Sequence, residues 1–301
     1  MEENKKIKIV THSGHFHADE VFAVAVLQLF FGENETEIVR TRDQSVIVSG
    51  DYVVDVGGVY DPKIFRFDHH QEGGAGVREN TIPYASFGLV WKEFGEKLCG
   101  NIEIVEKIDQ LLVQWIDATD NGVQIIETKV SGIYPYDIGL YINTFTPSWN
   151  EESPDFDGNF AKALQVAKDL LEHEIEKRKN LMSAKVIVEE IYRNSTDKRI
   201  IIFDRKYPYN GTLSKHPEPI FIVSPRVEGT WSVNAIRDDD NSFVNRKNFP
   251  KSWAGKKGEE LEKITEVSGS LFCHSGRFIA VNKTREGAIK MAEIALNSKD
   301  S

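Results

Sequence analysis

Cysteine is scarce in this sequence, and long apolar runs are absent. Cys99 and Cys273 are the two cysteines among 301 residues and they form no CxxC pair, which excludes a disulfide framework and a cysteine-based zinc site. No window approaches the roughly 20 consecutive apolar residues of a membrane-spanning helix. The acidic start, residues 1–6, lacks the apolar stretch of a signal peptide. We therefore expect a cytoplasmic protein without a membrane partner.

An excess of positive charge is also lacking. The 37 Lys and Arg residues face 47 Asp and Glu residues, a formal net charge of -10. This balance argues against a general nucleic-acid coat, because non-specific affinity for phosphate backbones depends on cations. Residues 205–257 reverse the balance locally, with 10 basic and 5 acidic residues. A phosphate-bearing ligand could bind this segment; a solvated charged surface is the alternative interpretation.

The length of 301 residues is large for one compact core and predicts two domains. Apolar residues recur at helical spacing over residues 157–193, as one long helix or as two broken near Ser183. We predict an α/β fold with a mostly parallel sheet, flanking helices and a linker helix in residues 1–195. Residues 196–301 are predicted to form a smaller α+β domain, because strand-like runs follow one another there.

Apolar patterning places the individual elements. Strands are predicted at 6–11, 37–40, 51–58, 199–203, 220–224, 230–236 and 277–281, with a further strand or hairpin at 59–68. Helices are predicted at 19–31, 83–94, 103–116 and 284–295. The polar clusters of the first 120 residues fall where these elements begin or end.

Residues 66–71 (RFDHHQ) place Asp68, His69 and His70 directly after a strand-like segment. Carboxylate oxygen together with imidazole nitrogen suits Mn, Fe or Zn, and the absence of thiolates argues against a structural zinc site. An exposed polar turn is the alternative interpretation of this triplet.

A second polar cluster follows the first predicted strand. Residues 12–20 contain three histidines and two acids within nine positions: His12, His15, His17, Asp19 and Glu20. In open α/β sheets, ligands collect at the carboxyl ends of strands, so this turn is where chemistry is expected.

Two more acidic groups complete a constellation. Asp55 ends the predicted strand 51–58, and Asp117 and Asp120 follow the helical segment 103–116. A lone acid at such a position is more often a helix cap than a ligand, but this many in register predict a site for two cations that share a carboxylate. The predicted ligands are His12, His17, Asp19, Asp55, Asp68, His69 and Asp120, with His15, Glu20 and Asp117 as alternatives.

Four N-terminal motifs together carry a family resemblance. They are THSGHFHADE (11–20), DVGGVYD (55–61), RFDHHQ (66–71) and DATDNG (117–122). They resemble the four-part signature of the DHH phosphoesterase superfamily, and most closely the family named after the melanocyte proliferating gene product. The similarity continues through residues 231–236, 249–255 and 272–279. One departure is His17, which stands where the superfamily usually has an acid.

The resemblance implies a hydrolase of phosphoester bonds with two divalent metal ions, usually Mn²⁺, with Mg²⁺ as the alternative. For the closest family it implies a 3′ to 5′ RNA exonuclease with a C-terminal substrate domain. By position, His12 or His17 with Asp19 occupies the first motif, Asp55 the second, Asp68 and His69 the third and Asp120 the fourth.

The chemistry of these side chains suggests a division of roles. Asp55 is the candidate bridge between cations, and His69 the ligand of the histidine pair. His70 would contact the phosphate or donate a proton to the leaving oxygen. Asp68 is either a ligand or the carboxylate that orients an imidazole. The predicted catalytic residues are therefore His70, Asp68 and Asp55.

Residues 273–277 (CHSGR) resemble the superfamily's substrate loop. Backbone amides beside a glycine, with an arginine fork, suit a phosphate or carboxylate group. The predicted substrate-binding residues are His274, Gly276, Arg277, Arg237 and Arg246. Three aromatic residues are predicted either to stack on a base or to belong to the core, with the core preferred for the first: Trp231, Phe243 and Trp253.

Three functions remain open at this point. The first is an exonuclease on RNA or short oligonucleotides, the second a small-nucleotide phosphatase or pyrophosphatase, and the third a non-catalytic metal-stabilised binding protein. The oligomeric state is open as well, with a homodimer among the alternatives.

Overall fold

The chain folds into two compact units, residues 1–178 and 179–301. The structure, a computed structural model, describes residues 5–238 and 244–299. This organisation confirms the predicted α/β fold in two parts. The division falls inside one long helix, which contributes residues to both units, whereas the sequence-based boundary at 195/196 lies at the end of that helix.

The first unit begins with a mixed sheet and its helices. Its strands are β1 (Ile7–Thr11), β2 (Thr36–Arg40), β3 (Tyr52–Val54), β4 (Tyr60–Asp61) and β5 (Arg66–Phe67). Its helices are α1 (Ala18–Phe31), α2 (Gln44–Ile47), α3 (Ser86–Cys99), α4 (Ile102–Ile108), α5 (Gln114–Asp120) and α6 (Ile138–Asn143), followed by α7 (Phe156–Asn194), which continues into the second unit.

The strand order in the first sheet is β2-β1-β3-β5-β4, and all pairs are parallel except β4 with β5. The central strands β1 and β3 are apolar and largely buried, as in a parallel sheet covered by helices, whereas β2 and β4 are mostly half-buried. Helix α1 is apolar on almost every side and is buried from Ala18 to Gln28. The parallel arrangement brings the carboxyl ends of β1, β3 and β5 to one edge of the sheet, where the polar clusters follow.

The predicted helix 103–116 is two helices joined by a π turn. Helix α4 ends at Ile108, Asp109–Val113 forms the π turn, and α5 follows directly. Such turns hold one more residue than an α-helical turn and often lie at functional sites.

Helix α7 is a single helix, which decides between the two alternatives left by the sequence. At Ser183 the hydroxyl donates to the backbone carbonyl of Lys179 at 3.0 Å, so the polar side chain is satisfied within the helix and need not break it.

The second unit is an α+β structure. Its strands are β6 (Ile200–Ile202), β7 (Phe221–Pro225), β8 (Trp231–Ala235), β9 (Ser270–Cys273) and β10 (Ile279–Asn282). Its helices after α7 are α8 (Asn210–Leu213), α9 (Gly258–Thr265) and α10 (Arg285–Asn297). The strand order is β6-β7-β8-β10-β9, with β6 parallel to β7 and the other pairs antiparallel. Strand β9 and helices α8 and α9 were not predicted from the sequence.

Within residues 5–238 and 244–299, no helix combines the length and the apolar character needed to cross a membrane.

Candidate metal centre

The His-rich turn lies between β1 and α1. His12 is buried, and its Nε2 lies 2.9 Å from Glu20 Oε1 and 3.3 Å from Asp55 Oδ2. The backbone N–H of His17 donates to both oxygens of Glu20 at 2.9 and 3.0 Å. Glu20 is fully buried, so His12, His17 and Glu20 together offer one set of ligand atoms for a cation. His15 instead lies on the edge of the Phe156 ring and is exposed.

Asp55 lies directly after β3, where the chain adopts a left-handed conformation with φ of +55°. Its oxygens face different partners. Oδ2 faces His12, while Oδ1 lies 3.4 Å from His69 Nε2 and 3.4 Å from His70 Nδ1. The Ser86 hydroxyl also donates to Oδ1 at 3.1 Å. A buried carboxylate that faces imidazoles on both sides has the arrangement of a bridging ligand.

Asp19 joins the site to the N-terminus of α3. The backbone N–H groups of Ser86 and Phe87 donate to its oxygens at 2.9 and 2.7 Å, a position that favours an anion. Asp19 is fully buried, and its Oδ2 lies 4.0 Å from His69 Nε2. Burial, reinforced by the charge of Asp55, raises the pKa of Asp19 well above its usual range.

His69 supplies the test of whether a metal ion fits. Its Nε2 is buried without a hydrogen-bond partner, although it lies 3.1 Å from Asp120 Oδ2 and 3.4 Å from Asp55 Oδ1. Asp19, His69 and Asp120 offer a second set of ligand atoms. A buried imidazole nitrogen that faces three carboxylates without bonding to any of them fits a cation between them, and the mixed N/O donors suit Mn²⁺, Fe²⁺ or Zn²⁺.

The electrostatics agree with this interpretation. Burial opposes protonation of His12, but its contacts with Asp55 and Glu20 outweigh burial and raise its pKa to about 10. In the same way Asp120 and Asp55 raise the pKa of His69 to about 11. Burial raises the pKa of Glu20, and the imidazoles hold the pKa of Asp55 below its usual range. The carboxylates therefore require positive charge among them, which a divalent cation can supply.

Asp68 and His70 form a pair at the edge of this cluster, and His70 with Asp55 and His69 offers a third set of ligand atoms. His70 Nδ1 lies 2.8 Å from Asp68 Oδ1, and the Gly58 N–H donates to Asp68 Oδ2 at 2.6 Å. Asp68 is buried, whereas the His70 side chain is 62% exposed and lines a cavity of about 860 Å³. Of the two roles left open for Asp68, this geometry favours orienting an imidazole over holding a cation.

The two acidic side chains of α5, Asp117 and Asp120, lie in different surroundings. Asp120 lies beside His69, whereas Asp117 is fully buried, accepts the Gly88 N–H at 3.0 Å and lies 2.6 Å from Arg78 Nη1. Burial raises the pKa of Asp117 to about 7 despite this cation. The structure thus places Asp120, and not Asp117, in the site.

Curated proteins and a family description match this sequence. Residues 8–296 match the family described as "Uncharacterised protein family (UPF0160)", whose label is MYG1 exonuclease. A MYG1 protein of Schizosaccharomyces pombe is 32% identical over 98% of both chains. A MYG1 protein of Dictyostelium discoideum is 33% identical over 97% of both. The protein named MYG1 exonuclease in Homo sapiens is 29% identical over 96% of this chain and 85% of its own.

The chain belongs to the MYG1 exonuclease family. This membership confirms the resemblance to the family named after the melanocyte proliferating gene product, whereas the placement in the DHH superfamily stays a prediction. A solved structure described as an uncharacterized protein from Helicobacter pylori G27 covers 96% of the chain at 12% identity, but with a TM-score of 0.24 it carries no argument about the fold.

The predicted substrate loop of this MYG1 family member lies between β9 and β10 in the second unit. The Gly276 N–H donates to His274 Nδ1 at 2.9 Å, and Arg277 has a left-handed φ of +57°. Arg277 Nη1 donates to the Phe249 carbonyl at 3.1 Å. His274, Gly276 and Arg277 therefore form one ordered turn. Arg237 lies two residues beyond the end of β8, in a bridge with Asn245.

Arg246 was predicted to bind substrate, which requires free N–H donors on its guanidinium, but most of these donors bond within the protein. Its guanidinium donates to the backbone carbonyls of Ser214, His216 and Pro219 at 2.5 to 3.0 Å. Most of its donors are thus used to hold the segment 214–219, which leaves substrate binding by Arg246 a prediction without geometric support.

The aromatic residues of the second unit that the structure describes are largely core. Trp253 is 2% exposed and stacks on Phe249, so its ring is not available to a base. Trp231 is half-buried against the same core. Phe243 lies outside the described residues.

Two residues of the site were missed by sequence reasoning. Ser86 contacts Asp55 and Asp19, and Arg42 lines the cavity with its Nη2 3.4 Å from His12 Nδ1. Ser86 opens a helix, and Arg42 follows the carboxyl end of β2, so the criterion that selected the other site residues could have found both.

Replacing Asp120 and Asp117 one at a time is expected to have different effects: the first on metal affinity, the second on the stability of the fold. Asp120→Ala removes the carboxylate nearest to His69 Nε2, so the affinity for Mn²⁺ should fall at least about tenfold with little change in the free energy of unfolding. Asp117→Ala leaves buried Arg78 without its partner on α5 and should destabilise the protein by about 3 kcal/mol. Calorimetric metal titration and denaturant unfolding measure the two quantities; equal effects of both variants on metal affinity would contradict the assignment.

Cys273, beside the substrate loop, is expected to be unreactive at neutral pH. Burial raises the pKa of its thiol to about 11, with a smaller opposing effect of Arg277, so the nucleophilic thiolate is scarce until the solution is strongly alkaline. In a Cys99→Ser variant, the rate of alkylation should rise through a midpoint near the pKa. Alkylation at pH 8 as fast as that of an unstructured peptide thiol would show this expectation to be wrong.

Proposed function

We propose that this MYG1 family member is a metal-dependent phosphodiester hydrolase of the DHH type, acting as a 3′ to 5′ exonuclease on RNA or short oligonucleotides. The names of the mammalian relatives support the nuclease activity. The structural observation that carries the proposal is Asp55, one buried carboxylate whose oxygens face His12 on one side and His69 on the other.

Two divalent cations, Mn²⁺ or Mg²⁺, would be held around Asp55. The first would take His12 with His17 or Glu20, the second Asp19, His69 and Asp120, and Asp55 would serve both. When bound, such a pair activates a water molecule and neutralises charge on the transferring phosphoryl group.

His70 is the proposed general acid. Asp68 lies 2.8 Å from its Nδ1, which fixes the ring, while the exposed ring borders the cavity. The nitrogen that Asp68 does not hold, Nε2, can then pass its proton to the leaving ribose oxygen. Asp68 itself stays in place because the Gly58 N–H donates to its other oxygen.

The turn of His274, Gly276 and Arg277 is the proposed contact for the end of the substrate. His274 directs Nδ1 to the Gly276 N–H, so its Nε2 is the nitrogen that meets a ligand. A guanidinium beside backbone amides suits a phosphate or the 3′-terminal ribose of an oligonucleotide.

The proposal is tested with protein that has been stripped by a chelator and reloaded with Mn²⁺. The expected result is stepwise release of mononucleotides from the 3′ end of a 5′-labelled RNA, with slower or no cleavage of the matching DNA. Pyrophosphate and a mononucleotide are incubated in parallel. Hydrolysis of these alone would instead indicate a small-nucleotide phosphatase or pyrophosphatase, and metal binding without any turnover would indicate a binding protein.

A further inference from the structure

Arg42 is a positive charge at the edge of an acidic cavity. It lies two residues after β2, its side chain is exposed, and it lines the same cavity as Asp55, Asp68 and Asp120. Among the described residues that line this cavity, Arg42 is the one lysine or arginine. Its position therefore differs from that of the histidines, which stand among the carboxylates.

The nearby Arg40 shows what a structural arginine looks like in this region. Its side chain is 3% exposed, its Nη1 donates to Asp157 at 2.8 Å and its Nη2 to the Gly14 carbonyl at 2.7 Å. The part of the chain that the structure describes offers Arg42 no such ion pair. Its neighbour Asp43 instead accepts from the N–H and hydroxyl of Ser45, where it caps α2.

The contact of Arg42 with His12 is compatible with release. His12 Nδ1 lies 3.4 Å from Arg42 Nη2 and also 3.4 Å from the Ser13 carbonyl. Because 3.4 Å is long for a hydrogen bond, this contact holds the exposed guanidinium of Arg42 only weakly beside His12.

We infer that Arg42 binds the non-bridging oxygens of the phosphate that is cleaved, and retains the phosphate of the product. The inference rests on the proposed function, in that the cavity must receive a phosphate. A planar guanidinium offers two parallel donors to such a group, which a lysine ammonium cannot do. Arg42 thus supplies from the first unit a cationic contact that none of the predicted substrate-binding residues provides there.

Kinetics of three variants test this assignment. For Arg42→Ala with Mn²⁺ and a short RNA, kcat/KM should fall at least about tenfold, equivalent to about 1.4 kcal/mol, and the inhibition constant of inorganic phosphate should rise at least about fivefold. Arg42→Lys keeps the charge without the fork and should lie between this variant and the wild type. Lys63→Ala removes one exposed cation of the same unit that does not line the cavity, and it should behave as the wild type.

The Mn²⁺ content of each variant distinguishes phosphate binding by Arg42 from a role of Arg42 in supporting His12. Unchanged Mn²⁺ content with weakened phosphate inhibition supports phosphate binding by Arg42. Lost Mn²⁺ with unchanged phosphate inhibition would overturn it, because Arg42 would then act by supporting His12. If the wild type cleaves no substrate, the proposed function fails; calorimetric titration of inorganic phosphate into the Mn-loaded wild type and Arg42→Ala then still decides the role of Arg42.

Discussion

Replacing Asp55 by asparagine is expected to lower kcat on RNA by on the order of a thousandfold, an effect of the size seen when a central electrostatic group is removed. Asparagine keeps one carboxamide oxygen. This oxygen can lie on the side of His12 or on the side of His69, but it cannot ligate a cation on both sides. The substitution also removes the negative charge that two cations would share. The content of bound Mn²⁺ should therefore fall together with the activity.

Asparagine is also the substitution at position 55 that disturbs the backbone conformation least. The left-handed φ of +55° at Asp55 is tolerated by asparagine but strained for most other residues, so the fold should persist, as circular dichroism and thermal unfolding would show. Asp61→Asn is the matched control, because Asp61 Oδ1 accepts the Lys63 N–H and an asparagine oxygen can do the same. Retention of full activity and full metal content in Asp55→Asn would falsify the bridging role.

Gly88→Ala is expected to reduce the free energy of unfolding by about 3–5 kcal/mol, the range for breaking a buried ion pair. An added Cβ would lie 1.9 Å from Asp117 Oδ2 and 2.8 Å from Arg78 Nη2. Both side chains would have to move, although neither has open space nearby: Asp117 is fully buried, and Arg78 also holds Asp109 at 2.9 Å. Glycine to alanine within a helix normally stabilises by about 0.5–1 kcal/mol, so even the sign of the effect is informative.

Denaturant unfolding of a double-mutant cycle identifies the cause. In an Asp117→Ala background the clashing oxygens are gone, so the further effect of Gly88→Ala should be small or stabilising. Glu96→Ala, an exposed substitution on the same helix, provides the control for a general disturbance of α3. Additive losses in the cycle would show that the destabilisation does not arise at Asp117.

The first sheet and its polar edge were predictable because parallel strands carry a strong local signal. Apolar runs end at Thr11, Val54 and Phe67, and each is followed by acids or histidines. Once the strands are taken as parallel, their carboxyl ends must meet. The grouping of His12, Asp55 and His69 therefore follows from sequence and topology together, without any knowledge of side-chain positions.

The roles of Arg246, Asp117 and Asp120 could not be predicted, because they depend on contacts between residues that are distant in the sequence. Arg246 resembles a ligand-binding cation in sequence, and only the folded chain shows that the carbonyls of residues 214–219 surround it. Asp117 and Asp120 share one helix and one residue type, but their different partners, Arg78 and His69, come from distant segments.

Three short elements of the second unit, α8, α9 and β9, were missed for a simpler reason. Strand β9 has four residues, and helix α9 begins at a glycine and is rich in charge. Short or charged segments of this kind acquire their structure from neighbours, since their own propensity is weak.

The π turn of Asp109–Val113 determines the direction in which the side chains of the following helix, α5, project. Because an α-helix turns by about 100° per residue, accommodating one additional residue rotates α5 by roughly that angle. Deleting a single residue there would swing Asp120 away from His69 and Asp117 away from Arg78, while every side chain of the site remained in the sequence. A one-residue gap at this turn in a related chain is therefore expected to take apart the candidate metal centre, even when all four motifs are intact.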